Sequence, residues 1–275
     1  MDEKIKIKVN NSEYAIVSKG EGNDSLFFIH GITTNSFIWR KIIPYFEKSF
    51  KCFAIDLLGC GDSSKSLKLD YSLFNQAKNI SDIIKKLNLG KPDIICHDVG
   101  GGIGQMLAVK YPEVVNSLTL INSVAYDFWP VQPIIAIRTP IIRQLAMSTL
   151  DMGMLKLIIK RGFYHKKKLT KELFSLFEKQ MKTSEGRKAF LHFARSLDNN
   201  ELIKIADDLT ELKIPVQIIR GDMDVYLSKE ISNTLHENIP NSRLETIYTG
   251  GHYLMEDEPE IVSNAISEFF DSFKG

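Results

Sequence analysis

The sequence predicts an α/β protein with a mostly parallel central sheet, helices on both faces and a helical insertion. Three observations carry this expectation. Short apolar runs of strand length alternate with amphipathic helical runs between residues 26 and 123. The alternation breaks from about 127 to 208, where sequence rich in Met, Leu, Phe and Lys has helical character and no clear strand. It resumes at residue 214. The expected organisation is therefore a core of residues 1–126 and 209–275, with a helical segment, 127–208, inserted after the sixth strand. Such an insertion lies across the carboxyl ends of the strands, where open α/β sheets bind their ligands.

The elements follow in order. "KIKIKVN" and "EYAIVSKG" alternate with period two and read as an antiparallel pair turning near Asn10 and Asn11. "LFFIHG" (26–31) is short and apolar, a buried strand by length. Residues 36–50 have helical spacing, and 51–59 read as the next strand. Residues 72–90 form an amphipathic helix closed by Gly90. "PDIICHD" (92–98) is a strand, 102–112 a helix stopped before Pro112, and "SLTLINS" (117–123) a strand. After the insertion come a strand at 214–222, a helix near 228–238, a strand-like run at 242–252 and a helix at 258–273.

Composition narrows the function. Lys and Arg number 35 against 34 Asp and Glu, so bulk charge implies neither nucleic acid nor a membrane surface as partner. The dense basic run, His165 to Lys168, reads as a solvated helix start or loop. Three cysteines, Cys52, Cys60 and Cys96, suit neither a disulfide framework nor a zinc site. The odd count suggests reduced thiols and a cytoplasmic location. The N-terminus lacks the apolar stretch of a signal peptide, and no run reaches the ~18 apolar residues of a membrane span. No cofactor or metal is expected, and oligomeric state leaves no trace in the sequence.

Strand ends carry the chemistry. Asp98, then Asp222 and Asp224, then His252 arrive in the order acid, acid, histidine. Enzymes with a nucleophile elbow place nucleophile, acid and histidine in that order, the nucleophile on a sharp strand-to-helix turn among small residues. In Cys96-His97-Asp98-Val99-Gly100 the nucleophile position holds Asp98, and Gly100, Gly101 and Gly102 follow. Residue by residue, plainer readings stand beside this one. Asp98 also suits a helix N-cap, and His252 a core histidine.

Together the motifs resemble the α/β-hydrolase fold, in the aspartate-nucleophile branch that includes epoxide hydrolases and haloalkane dehalogenases. "FFIHGITTNSFIWRKIIPYF" resembles the H-G motif and the S-x-x-W segment after it. "AIDLLGCGDSSK" resembles the D-x-x-G-x-G-x-S loop, "PVQIIRGDMD" the G-x-x-D acid motif, and "GGHYLMEDEPE" the histidine motif. The resemblance implies Asp98 as nucleophile, Asp224 as the orienting acid, His252 as base, and the amides of Ile32 and Val99 as oxyanion hole. It also implies that Asp98 forms an alkyl ester at a saturated carbon, which His252-activated water then hydrolyses. His30 is expected to brace the oxyanion loop or line the substrate pocket. Asp56 is expected to shape the loop around Gly59 and Gly61, and His97 to pack beneath the elbow.

Departures from the branch bear on the leaving group. The Trp that follows the nucleophile in dehalogenases is Val99 here, and the Asn after H-G is Ile32. Thr33 stands where H-G-x-P has proline. Trp129 is a candidate halide donor, and Tyr126 and Tyr164 are candidate donors to an epoxide oxygen. The absence of both flanking halide donors favours an epoxide hydrolase-like reaction, with dehalogenation as the alternative. A non-catalytic binder of a small ligand is a third reading. Ester or carbon–carbon hydrolysis would need another nucleophile, Ser123 or Ser36. Met147, Met152, Met154, Phe163, Phe190 and Phe193 suit a pocket for a small apolar organic substrate.

Overall fold

Eight strands form one sheet in the order β1-β2-β4-β3-β5-β6-β7-β8 in a computed structural model that describes residues 3–129 and 152–274. The strands are β1 (Lys4–Val9), β2 (Ser12–Lys19), β3 (Asp24–Ile29), β4 (Phe50–Ile55), β5 (Asp93–Asp98), β6 (Ser117–Ser123), β7 (Val216–Gly221) and β8 (Ser242–Ile247). β1 pairs antiparallel with β2, and β2 with β4. All other neighbours pair in parallel. Asn10 and Asn11 both take positive φ in the β1–β2 turn, a conformation that asparagine tolerates better than most residues.

The central strands β5, β6 and β7 are buried along their whole length. Helices on both faces cover them, which is why they read as continuous apolar runs rather than alternating ones. Ile94, Cys96, Leu118, Leu120 and Ile218 point into one apolar cluster, and Ile95, Ile121 and Ile219 into the other. Each such fully buried aliphatic side chain contributes about 1.5–3 kcal/mol. Helix Leu73–Lys86 is capped by Ser72, whose side chain accepts from the Asn75 amide.

Several boundaries differ from the sequence expectation. The helix expected over 36–50 is two short pieces, Ser36–Trp39 and Ile43–Phe46. Asn35 caps the first, and Pro44, which has no amide hydrogen, is confined to the start of the second. β4 stops at Ile55 because Asp56 turns its carboxylate to the amides of Ser36 and Asp62 and to the Lys4 ammonium. β8 ends at Ile247, and residues Leu254–Asp257 form an unexpected helical turn.

Between β6 and β7 the described elements are helical, in Met152–Gly162, Lys171–Glu178, Ser184–Ser196 and three shorter turns. Met147 lies outside the described residues, as do the side chains of Met152 and Met154. The basic run does more than face water. Lys166 donates to the Arg161 carbonyl and Lys168 to the Asp257 carbonyl. Among the described residues, no helix is long and apolar enough to cross a membrane.

The helix after β5 starts at Val99, directly after the strand, and not at residue 102. Its glycines belong to its first turn because the helix presses against β3. A Cβ on Gly100 would stand 2.4 Å from the Ile29 carbonyl oxygen and 2.6 Å from that of His30. Gly100→Ala is therefore expected to destabilise the protein by about 1–3 kcal/mol through overpacking. Chemical denaturation measures this, and an unchanged midpoint would contradict the close approach.

Candidate active site

Asp98 ends β5 at φ +55° and ψ −125°, a backbone conformation that non-glycine residues avoid. The register of β5 against β6 slips between His97 and Asp98, and this irregularity turns the chain sharply into the helix. The Asp98 carboxylate lies against the backbone after β3. A Cβ on Gly31 would come within 2.4 Å of Asp98 Oδ2, and the Ile32 amide donates to that oxygen at 3.0 Å. The Val99 amide, at the start of the helix, also favours the charged carboxylate. Burial pushes the Asp98 carboxyl above the usual range, while His252 and the two amides pull it back.

His252 comes from the loop after β8. Its Nδ1 lies 2.9 Å from Asp224 Oδ2. Asp224 sits on the loop after β7, and its other oxygen accepts from the amides of Tyr226 and Leu227. The carboxylate is thus fixed in orientation, and it fixes the proton on His252 Nδ1. Nε2 is left to accept a proton. Burial disfavours the charged imidazole, but the Asp224 charge and hydrogen bond, with Asp98 behind them, raise its pKa above 6.5. Asp222, the competing acid, is solvent-exposed.

Three residues outside the sequence expectation hold this arrangement. Asn122, at φ +39° near the end of β6, donates to the carbonyls of Gly251 and His252 at 2.9 Å each. Its side-chain oxygen accepts from the Gly221 amide, also at 2.9 Å. One side chain thereby ties the acid strand to the histidine loop. Asp257 receives the amides of Gly251, Tyr164 and His165. Tyr226 packs edge-on to the His252 ring, with centroids 5.2 Å apart, and donates to the Ile158 carbonyl. No local signal marks Asn122, because its strand, Ser117–Ser123, carries Ser117, Thr119 and Ser123 as well.

The remaining candidates are placed differently. His30 is fully buried, and its Nε2 accepts from the Leu57 amide at 2.9 Å. Its Nδ1 therefore carries the hydrogen and donates to the Gly31 carbonyl at 2.7 Å. Burial lowers its pKa to about 4. With both nitrogens committed to backbone, His30 braces the oxyanion loop and offers a substrate no ring nitrogen. His97 Nε2 donates to the His252 carbonyl at 2.9 Å. Tyr126 turns its hydroxyl to helix Lys229–Asn238, where it meets the Thr234 carbonyl and the Asn238 amide. Tyr164 is 40% exposed and packs on His165. Neither tyrosine is brought to Asp98.

Trp129 is 3% exposed and shares an apolar cluster with Ile32, Val99, Phe190 and Phe193. Its indole nitrogen has no partner among the described residues. Phe163 belongs to the other cluster, with Tyr253 and Phe177. Ser123 is buried, its hydroxyl donating to the Val124 carbonyl and accepting from Gln105, and it has no histidine partner among the described residues. Ser36 is equally buried. A cleft of about 310 Å³ bordered by Phe37, Arg40, Gly61 and Gln180 does not include Asp98, Asp224 or His252. Chemistry, not cavity size, identifies this site.

A parallel sheet whose fifth strand turns through a strained elbow, with an acid after β7 and a histidine after β8, is the α/β-hydrolase fold. The comparisons agree. A family model described as the alpha/beta hydrolase fold matches residues 24–154. The chain is 24% identical over 282 residues to a cis-3-alkyl-4-alkyloxetan-2-one decarboxylase of Shewanella oneidensis, covering 94% of this chain and 86% of that one. It is 25% identical to epoxide hydrolase 1 of Caenorhabditis elegans, with 98% and 70% covered. It is 23% identical to a haloalkane dehalogenase of Mesorhizobium japonicum, with 96% and 89% covered. A solved α/β-hydrolase-fold protein from Burkholderia ambifaria superposes with a TM-score of 0.89 at 22% identity, over 98% of each chain. The chain has the α/β-hydrolase fold, and epoxide hydrolases and a haloalkane dehalogenase are among the proteins it is similar to.

The Asp224–His252 contact sets the histidine's titration. Replacing Asp224 by Asn removes the charge that, with its hydrogen bond and Asp98, offsets burial, so the His252 pKa is expected to fall. Titration of nitrogen-15-labelled histidine by NMR reads this directly. An unchanged pKa would mean that Asp224 does not govern the imidazole.

Proposed function

We propose that this protein is a hydrolase whose nucleophile is Asp98 and whose substrate is a small apolar molecule with a leaving group on saturated carbon. One observation carries the reading: the amide of Ile32 donates to the carboxylate of Asp98 itself. In acyl-transfer enzymes such amides receive the substrate's carbonyl oxygen. Here the Ile32 amide occupies one oxygen of the nucleophile and leaves the other to attack.

The chemistry runs in two steps. The free Asp98 oxygen attacks carbon, the carbon–leaving-group bond breaks, and an alkyl ester forms. Water then attacks the ester carbon of Asp98, and His252 Nε2 takes its proton while Asp224 stabilises the imidazolium. The negative charge of that step develops on the Asp98 oxygen that the Ile32 amide already holds. The product alcohol leaves with an oxygen from Asp98. The helices between Met152 and Leu209 act as a cap over this site, and Trp129, Phe190 and Phe193 supply its apolar lining.

An epoxide is the first reading for the electrophile. Val99 and Ile32 offer no side-chain donor to a halide, and an opened epoxide stays attached to the ester. Trp129 favours a second reading. A buried indole N–H without a partner suits a departing halide, so haloalkane hydrolysis is the alternative.

His252→Gln removes the base and leaves the nucleophile. With 1,2-epoxyhexane or 1-bromohexane it is expected to accumulate a covalent adduct on Asp98, visible by intact mass and peptide mapping. Absence of any adduct with a substrate that the parent turns over would sink the covalent scheme. Turnover should also fall on the acid side as the neutral base is lost. Because the His252 pKa is raised, the midpoint of that limb is expected above pH 6.5. A limb centred well below that value would assign the base elsewhere.

A further inference from the structure

Opening an epoxide at Asp98 leaves an alkoxide that needs a hydrogen donor, and the tyrosines expected to supply one are turned elsewhere. A different pair of hydroxyls stands beside the reacting groups. Tyr253 directly follows the base, and Thr33 directly follows Ile32, whose amide holds the nucleophile. Their oxygens lie 3.0 Å apart, joining the histidine loop to the oxyanion loop. Tyr253 is 1% exposed, and its ring lies 5.0 Å from that of His252 and 6.2 Å from that of His97, the residue before Asp98.

We infer that the Thr33–Tyr253 hydroxyl pair is the donor to the leaving-group oxygen, so that the site is built for epoxides rather than halides. This rests on the Asp98 displacement reading. Two hydroxyls own two hydrogens, and their mutual bond uses one. The other has no acceptor among the described residues. Tyr226 cannot take this part, because its hydroxyl is committed to the Ile158 carbonyl.

The proton balance closes within the site. As the Asp98 oxygen bonds to carbon and the carbon–oxygen bond of the epoxide breaks, the pair gives one proton to the nascent alkoxide. The pair is left with a single negative charge. In the second step His252 takes a proton from water and returns it to the neighbouring Tyr253 oxygen as the ester is cleaved. The sum is epoxide plus water to diol, with every group restored. Burial holds the Tyr253 phenol protonated at rest. Thr33 stands where the resembling family has proline, and a proline there could not form this pair.

The test measures the rate of adduct formation in the His252→Gln background with matched electrophiles, 1,2-epoxyhexane and 1-bromohexane. Positioned proton donors contribute about 100-fold or more. Tyr253→Phe is expected to slow the epoxide by about that factor and the bromide by at least tenfold less, since bromide leaves without a proton. Thr33→Val, which attacks the pair from its other member, is expected to show the same selectivity. Equal losses for both electrophiles in both variants, or no loss for the epoxide, would overturn the inference. So would unfolding of both variants, since that would make the pair structural. Failure of the underlying reading looks different: with Tyr253 and Thr33 intact, His252→Gln would form no adduct with either electrophile.

Discussion

Asp98 is held at positive φ where β5 breaks register, with its carboxylate against Gly31 and under the Ile32 amide. A non-glycine residue in such a conformation costs about 1–3 kcal/mol, so its surroundings must over-determine it. They do so from three sides. The glycine-rich helix start lets the helix press on the backbone of β3. The end of β6 meets the elbow through the Val124 amide, which donates to the Asp98 carbonyl. The oxyanion loop, braced by His30 and Asp56, closes over the carboxylate.

His252 is fixed by a complementary logic. The His252 carbonyl receives Asn122 and His97 from the core, and its amide donates to the Gly162 carbonyl of the inserted helices at 2.7 Å. Its side chain is bound to Asp224. Backbone and imidazole are therefore fixed independently, and the insertion is one of the fixing elements. Packing of the insertion and placement of the base are thus one structural problem. The close approach of Gly162 to Gly251 shows it, since a Cβ on Gly251 would stand 2.4 Å from the Gly162 oxygen.

Much of this was legible in the sequence. The alternation of strand and helix along the chain follows from apolar periodicity, because buried parallel strands leave continuous apolar runs. Asp98, Asp224 and His252 could be named because they stand at strand ends with fixed local spacing. What could not be read depends on contacts across long sequence separations. Asn122 reaches residues 129 and 130 positions away, and no local pattern announces it. Tyr126 looked like a cap donor, but its positive φ turns the hydroxyl onto helix Lys229–Asn238. Helix 36–50 was over-extended because its periodicity hides Pro44 and the demand of Asp56 for the Ser36 amide. The glycines after Asp98 read as a turn, whereas they are helical and small for close packing.

The central claim is that an oxygen of Asp98, not of water, enters the product first. A single turnover in oxygen-18 water, with enzyme in excess over 1,2-epoxyhexane, tests it most directly. The account predicts unlabelled diol and one heavy oxygen in the Asp98 peptide. Heavy oxygen in the diol with none in Asp98 would show direct attack by water and contradict it.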